Sequence, residues 1–386
     1  MKSLPILALL LVFVLPVSYG QPSPPVYKLD TKSWPTQTIT LDKILKEIRV
    51  IPLETRPECM IGYIGHLLMT PDMIVTVNTN PYQALCFDLK GKFLRKIGAI
   101  GKGPGEYQSV SNVLLNREKS EILLYDFRQV RINFFNTTGG FLRRTNLSFR
   151  GMDIRLIDNN FLAIHAGRIG SNQEECELAV LKQSGEIQNT FFPFSEPIGA
   201  DCCCGFADGT QPNSVLYHKA FDYRIYEVFA DRVTTLLTLD FGSATLDSAK
   251  YMNSREFFNS ADDKGKVLGF FGLTNTTEHL SANILIGNLN RGTWVLDHRS
   301  KKHQFLAADP NENIGTFKGI PVPCPKETDG SWFISCQMGI NWNEAISKLT
   351  EAQKVILRQE VPGFIEAEKV AMDGNPVLVL YKFREF

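Results

Sequence analysis

Charge of one sign is what this 386-residue chain lacks most plainly: 41 lysines and arginines meet 41 aspartates and glutamates. The balance removes the broad electrostatic ground for binding nucleic acid or an anionic membrane. Long apolar runs are missing as well. A membrane-spanning helix needs roughly 20 apolar residues, and the run from Leu4 to Leu15 is shorter and bracketed by Pro5 and Pro16. Local catalytic signatures are also absent. There is no Gly-x-Ser-x-Gly elbow and no His-Glu-x-x-His, and the six histidines stand scattered at 66, 165, 218, 279, 298 and 303. What remains is core-forming material, 44% hydrophobic with 26 phenylalanines, too apolar for a disordered chain.

The amino-terminal segment reads as an export signal. Lys2 is a positive n-region, Leu4 to Leu15 an apolar h-region, and Ser18-Tyr19-Gly20 offers the small residues a signal peptidase reads. Cleavage after Gly20 is expected, and with no cysteine nearby a lipid anchor is not. Residues 21–45, with Pro22, Pro24, Pro25 and Pro35, suit an extended tether. The mature protein is expected in the periplasm or outside the cell, as a monomer without a membrane span.

Repeats organise residues 46–386. The run Cys86-Phe87-Asp88-Leu89-Lys90-Gly91-Lys92-Phe93-Leu94-Arg95 returns as Phe134-Phe135-Asn136-Thr137-Thr138-Gly139-Gly140-Phe141-Leu142-Arg143, and more weakly from Val180, Val228 and Trp294. Each copy is an apolar run, a turn with Gly or Asp, and a second alternating run, the pattern of a β-hairpin. A further short apolar run precedes each hairpin, as in Met73-Ile74-Val75-Thr76-Val77. With one more strand, each unit holds four, and four-stranded units repeating at about 45 residues describe propeller blades. The expectation is an all-β, six-bladed propeller with blades near 64–97, 109–147, 151–192, 205–240 and 267–309. The sixth combines 332–335 and 377–383, with 47–53 supplying its outer strand and closing the ring. Helical spacing marks an insertion at about 341–360, with Trp342, Ile346, Leu349, Val355 and Ile356 on one face, and more weakly 245–258.

Several motifs together resemble a known family. Val50-Ile51-Pro52-Leu53-Glu54, Ile61-Gly62-Tyr63-Ile64, the Phe87–Phe93 turn, Gly101-Lys102-Gly103-Pro104-Gly105-Glu106-Tyr107 and Asn375-Pro376-Val377-Leu378-Val379-Leu380-Tyr381-Lys382-Phe383 are similar to the exported six-bladed β-propellers found mostly in Bacteroidetes, with repeats of the NHL and TolB type. The resemblance runs from about residue 46 to the end. It implies the fold and an envelope or secreted location, and it carries no catalytic residues to map. Asn78 stands where that family's first blade commonly has Asp.

Candidate chemistry gathers at the loop face of the expected funnel. The glycine-rich stretch Gly98–Tyr107 lacks the Gly-Lys-Ser/Thr ending of a P-loop and reads as a crossover between blades, which leaves Glu106 and Tyr107 as site candidates. Turns between middle strands add Arg128, Arg131, His165, Arg168, His218, Arg224 and Arg291, a cationic set suited to a carboxylated, sulfated or phosphorylated ligand. The competing reading is solvated charge paired with Asp126, Glu174 or Asp222. Disulfides are expected among Cys176 and Cys202, Cys203 or Cys204, and between Cys324 and Cys336, with Cys59 and Cys86 as buried thiols. No metal and no cofactor is expected. The reading that follows is an exported binding module for a small or polymeric ligand, possible anionic character included, or for an envelope protein. Its alternatives are a funnel-site lyase or hydrolase on an anionic glycan, using His165, His218, Tyr217 and Arg224, and a structural scaffold.

Overall fold

Turn chemistry explains the repeat. In the computed structural model, which describes residues 23–148, 150–165, 176–193, 205–219, 221–247, 265–286 and 289–386, the Asp88 carboxylate accepts from the N–H groups of Lys90 and Lys92, both at 2.9 Å. Asn136 does the same for Thr138 and Gly140 at 3.1 and 2.7 Å. Such side-chain caps reverse the chain. The glycine that follows takes φ of 84° at Gly91 and 90° at Gly139, a left-handed conformation that costs an L-residue about 1–2 kcal/mol. At Gly91 space forbids a side chain too, because a Cβ would stand 2.0 Å from the Pro52 carbonyl oxygen. The expected signal peptide, Arg168, the cysteines 202–204 and most of the weaker helical segment at 245–258 lie outside the described residues.

The strands joined by these turns form an all-β architecture of small sheets. The first sheet contains Ile64–Met69, Ile74–Thr79, Tyr82–Phe87 and Phe93–Ile97. The second contains Val110–Asn116, Glu121–Asp126, Arg131–Asn136 and Phe141–Asn146. The third contains Asp153–Leu156, Phe161–His165, Cys176–Lys182 and Ile187–Pro193. The fourth contains Gly205–Asp208, Val215–His218, Arg224–Val228 and Val233–Asp240; Val26–Lys28 adds to it in parallel. The fifth contains Val267–Asn275, His279–Ile286, Leu289–Asp297 and His303–Ala307. In the sixth, Glu327–Thr328, Phe333–Gln337 and Val377–Phe383 are followed by Leu45–Pro52, which pairs antiparallel from Leu45↔Phe383 to Pro52↔Val377. Asn313–Phe317, Ile320–Pro323 and Ile39–Thr40 make a separate small sheet.

Alternation along each strand buries both faces of a sheet. Ile74 and Leu85 pack with Ile334 and Leu378 of the sixth sheet, while Val75 and Val77 pack with Ile122 and Leu124 of the second. Further clusters lie between the second and third, third and fourth, fourth and fifth, and fifth and sixth sheets. Two-sided burial is why Glu121–Asp126 is buried throughout. First strands of successive sheets also touch one another, and Glu327–Thr328 touches Ile64–Met69.

Two expectations are corrected. The helix over 341–360 is two helices, α1 (Gly339–Ser347) and α2 (Glu351–Glu360), followed by the short α3 (Phe364–Ala367). Thr350 restarts the chain with a capping box: its hydroxyl accepts from Gln353 N–H and the Gln353 side chain accepts from Thr350 N–H. The break resets the helical phase. Trp342 and Ile346 face the core, but in α2 it is Leu357 that is buried, while Val355 and Ile356 are exposed. Cys324 and Cys336 form no disulfide, because they face opposite sides of the sixth sheet: Cys324 packs with Phe333 and Tyr381, Cys336 with Ile334 and Leu378. Cys59 and Cys86 are buried thiols. The segment before Leu45 is docked: Trp34 stacks on Phe305 with ring centroids 3.8 Å apart, and Leu29 and Leu41 are buried.

Candidate functional site

Strand direction gives the molecule two ends. One carries the crossovers into each first strand and the turns between second and third strands. The other carries the turns between first and second strands. Glu106, Tyr107, Arg128, Arg131, His165, His218, Arg224 and Arg291 all belong to the crossover end, yet most are engaged within the framework there. The Glu106 carboxylate accepts from Gly103 N–H at 2.7 Å, and its carbonyl accepts from Arg131 Nη2 at 2.6 Å. Arg131 is buried, and burial pulls its guanidinium below the usual range. Tyr107 is a core residue whose Oη accepts from Ala84 N–H at 3.0 Å. Arg224 grips Asp222 through two hydrogen bonds of 2.8 Å, the pairing weighed from the sequence, and Lys219 reaches Glu177 at 3.3 Å.

The remaining members of that set lie apart. His165 Nδ1 is 2.9 Å from Tyr217 Oη, both buried between the third and fourth sheets. The His218 ring packs 4.9 Å from Phe270. Arg291 lines an outer groove with Trp34 and Phe305. Arg128 is exposed, its guanidinium carbon 6.0 Å from the Tyr82 ring.

Ionisable side chains do converge where the first strands meet. His66 comes from the first sheet, Arg155 from the third, Asp208 from the fourth and Glu327 from the sixth. Arg155 Nη2 is 3.0 Å from Asp208 Oδ1 and Nη1 is 3.6 Å from Glu327 Oε2, while His66 Nε2 lies 3.3 Å from Glu327 Oε1. A bulge between Ile64 and His66 re-aims the imidazole, a common use of an extra residue in a strand. Asp153 stands beside the group. It accepts from Asn112 Nδ2 at 2.6 Å and from Phe206 N–H at 3.2 Å.

These four residues line a cavity of about 240 Å³ whose walls include Leu68, Leu115 and Leu156, with Arg117 and Asp329 also on its surface. Because Met69, Arg117 and Asp329 lie at or just beyond the ends of first strands, it sits toward the end opposite the predicted residues. Burial pushes the Glu327 carboxyl up to about 7, with Asp153 and Asp208 adding to the rise and Arg155 opposing it. Burial, then Arg155, holds the His66 imidazole well below its ordinary value. Arg155 stays firmly charged: burial works against it, but Asp208 and Glu327 outweigh that. The pocket thus sets an acid that is neutral in part near pH 7 beside a neutral imidazole and a fixed cation. Among the described residues, no three His, Cys, Asp or Glu side chains are grouped to hold a metal.

A larger groove, about 750 Å³, is lined by Lys46, Glu278, His279, Arg299 and Glu385. Its Lys46–Glu278 and Arg299–Glu385 pairs, each at 3.5 Å, are exposed and contribute little. The residues of the smaller cavity escape sequence reasoning because positions 66, 155, 208 and 327 share no spacing. The available signal was an ionisable side chain within the strand that opens a repeat unit.

Comparison with known proteins follows the fold. The chain is similar to a candidate exported protein of Bacteroides fragilis, with a TM-score of 0.70 and 14% identity over 93% of this chain and 99% of that one. It is also similar to a member of the DUF4221 family from Bacteroides vulgatus, with a TM-score of 0.50 and 12% identity over 88% and 97% of the two chains. At such identities the likeness speaks for the fold alone. No curated protein matches the chain, and among the described residues no helix is long and apolar enough to cross a membrane. The profile described as a domain of unknown function, DUF4934, matches residues 25–382, and the chain belongs to that family.

Proposed function

We propose that the chain is an exported six-bladed β-propeller that serves as a binding module and holds its ligand in the axial cavity. In this reading residues 1–20 are the signal peptide, 21–45 a docked tether and 46–386 the propeller. The six sheets are its blades and the Leu45–Pro52 strand closes the ring. Support for the ring comes from the clusters that link each sheet to the next and the sixth to the first. Support for export comes from the apolar leader and from the likeness to a candidate exported protein.

One observation carries the binding reading: four sheets each send one ionisable side chain onto a single cavity of about 240 Å³. Buried charges cost several kcal/mol each before pairing, and apolar residues would fill a purely structural axis more cheaply. Of the loop-face set, Arg128 above Tyr82 is kept as a contact for a ligand or envelope protein at the opposite mouth. Glu106, Tyr107, Arg131, His165, His218 and Arg224 belong to the framework at that end, and Arg291 to the outer groove. A second reading, catalysis at the axis, is favoured by the Glu327 carboxyl near 7 beside His66, the pairing a general acid–base site uses.

The test is a thermal-shift screen of residues 21–386 against anionic, cationic and neutral small molecules and oligosaccharides. A ligand at about 100 times its Kd adds roughly 2.7 kcal/mol of stability, a shift of a few degrees. The reading expects a hit that weakens in Glu327→Gln and Asp208→Asn proteins and persists in Arg128→Ala. Hits indifferent to both axial variants would sink it. Turnover of such a hit would favour the catalytic reading.

A further inference from the structure

The sign of charge at the axis selects a ligand class, on the footing that the axial cavity is the binding site. Two carboxyl groups, Asp208 and Glu327, line the cavity beside one guanidinium, Arg155, with His66 neutral, and a third, Asp153, stands behind the wall bonded to Asn112 and Phe206 N–H. Arg117 and Asp329, which also line the cavity, carry opposite charges and cancel. The lining is therefore balanced while Glu327 holds its proton and short of positive charge once Glu327 ionises, with Asp153 behind it deepening the deficit in both states. It is also unfinished in hydrogen bonding. His66, 12% exposed at its side chain, has an Nδ1 shielded from solvent with no partner among the described residues, a state that costs about 1–3 kcal/mol when nothing completes it. The Asp208 carboxylate is half exposed and reachable. Leu68, Leu115 and Leu156 supply apolar wall on the same cavity, and about 240 Å³ is below the 300–1,000 Å³ of pockets for drug-sized molecules.

We propose that the axial cavity binds a small primary-amine cation, its ammonium group beside Asp208 and Glu327 and its short apolar body against the leucines. This reverses the sign expected from the loop-face arginines. Of those, Arg224 is satisfied by Asp222 and Arg131 by the Glu106 carbonyl, whereas the axial cavity is lined by Asp208 and Glu327 around the single guanidinium of Arg155. A consequence is proton release. Among His66, Asp153, Arg155 and Asp208, the charged and titratable groups nearest Glu327, only Arg155 favours its ionised form. A bound ammonium adds a second positive neighbour, so part of the Glu327 population gives up its proton to solvent as the ligand enters.

Three isosteric probes at matched ionic strength test the class: n-butylammonium, butyrate and 1-butanol, measured by calorimetry on residues 21–386. The expected result is binding of n-butylammonium alone, with affinity about tenfold lower in Asp208→Asn, the size of one lost charged hydrogen bond. At pH 6.5, buffers of different ionisation enthalpy should report release of a fraction of a proton by the wild type and none by Glu327→Gln. Asp208→Asn changes a half-exposed group and keeps the test alive if Glu327→Gln fails to fold. Butyrate or butanol binding that weakens in the axial variants would overturn the amine assignment and leave the axial site standing. Amine binding unchanged in both variants would overturn the axial location itself. No response to any of the three would overturn the amine class, while the wider screen decides the site independently.

Discussion

Replacing Glu327 by Gln changes the pH dependence of stability in a direction the axial pair dictates. In the folded chain Glu327 holds its proton up to about 7 instead of 4.5. Its contribution is therefore fully present below 4.5 and lost as pH rises through 7. His66 is the mirror case: burial lowers it from 6.5 to about 4, so the unfolded chain binds the extra proton and stability rises with pH between those values. At about 1.4 kcal/mol per pH unit, each effect amounts to roughly 3 kcal/mol, and side-chain exposures of 12% and 17% leave little screening by solvent. In the wild type the two nearly cancel between pH 4.5 and 6.5, because folding in effect moves a proton from the imidazole to the carboxyl. Glu327→Gln removes one side of the balance. Its stability relative to wild type should climb by about 3 kcal/mol from pH 4.5 to 7, and that of His66→Gln should fall by a similar amount from pH 4 to 6.5. Urea unfolding at half-unit pH steps, with constant m-values, reads both differences. Parallel profiles for wild type and Glu327→Gln would refute the assignment of a raised carboxyl at the axis.

Gly91→Ala should destabilise by at least about 3 kcal/mol, combining left-handed strain with collision against the Pro52 carbonyl; Gly330→Ala, at φ 92° with open space around it, should cost only about 1–2 kcal/mol, both by urea unfolding. Thr350→Ala removes the capping box of α2 and should lower stability by about 1 kcal/mol with a small loss of helical dichroism. A chain beginning at residue 54 leaves the Val377–Phe383 strand without its Leu45–Pro52 partner, an open edge. It should elute as aggregate in size-exclusion chromatography, and a synthetic peptide of residues 41–54 should recover the monomer peak.

The strands were legible because the repeat writes its turns in residues with one physical meaning. Asp88 and Asn136 can only cap, and Gly91 and Gly139 sit where φ is positive. The pairing of the Leu45–Pro52 strand was legible from the missing fourth strand of the last unit. What misled was charge on loops. Arg224 was visible, but that Asp222 holds it with two hydrogen bonds depends on side-chain geometry, and Arg131 is spent on a carbonyl that no sequence marks. The axial group was hidden for a different reason. The strand Glu327–Thr328 has two residues, too few for periodicity to register, and the partners of Glu327, which are Arg155 and His66, come from sheets far away in the chain.

The meeting of the first strands is also informative. Each belongs to a different sheet and no ladder among the described residues pairs one with another, so side chains tie the sheets together. Asn112 joins the second sheet to Asp153 of the third, Arg155 joins the third to the fourth and sixth, and His66 joins the first to the sixth. Such ties can be exchanged without loss wherever the fold does not depend on their charge. Exchanging buried ion pairs for well-packed apolar residues of similar volume is often neutral or stabilising by about 1–4 kcal/mol. A quadruple variant with His66→Leu, Arg155→Met, Asp208→Leu and Glu327→Met therefore separates structure from function. If the charges serve the fold, the variant unfolds at lower urea than wild type. If they are held for a ligand, it keeps or gains stability and loses its response to n-butylammonium, because Asp208 and Glu327, the two carboxyl groups assigned to the ammonium, are gone.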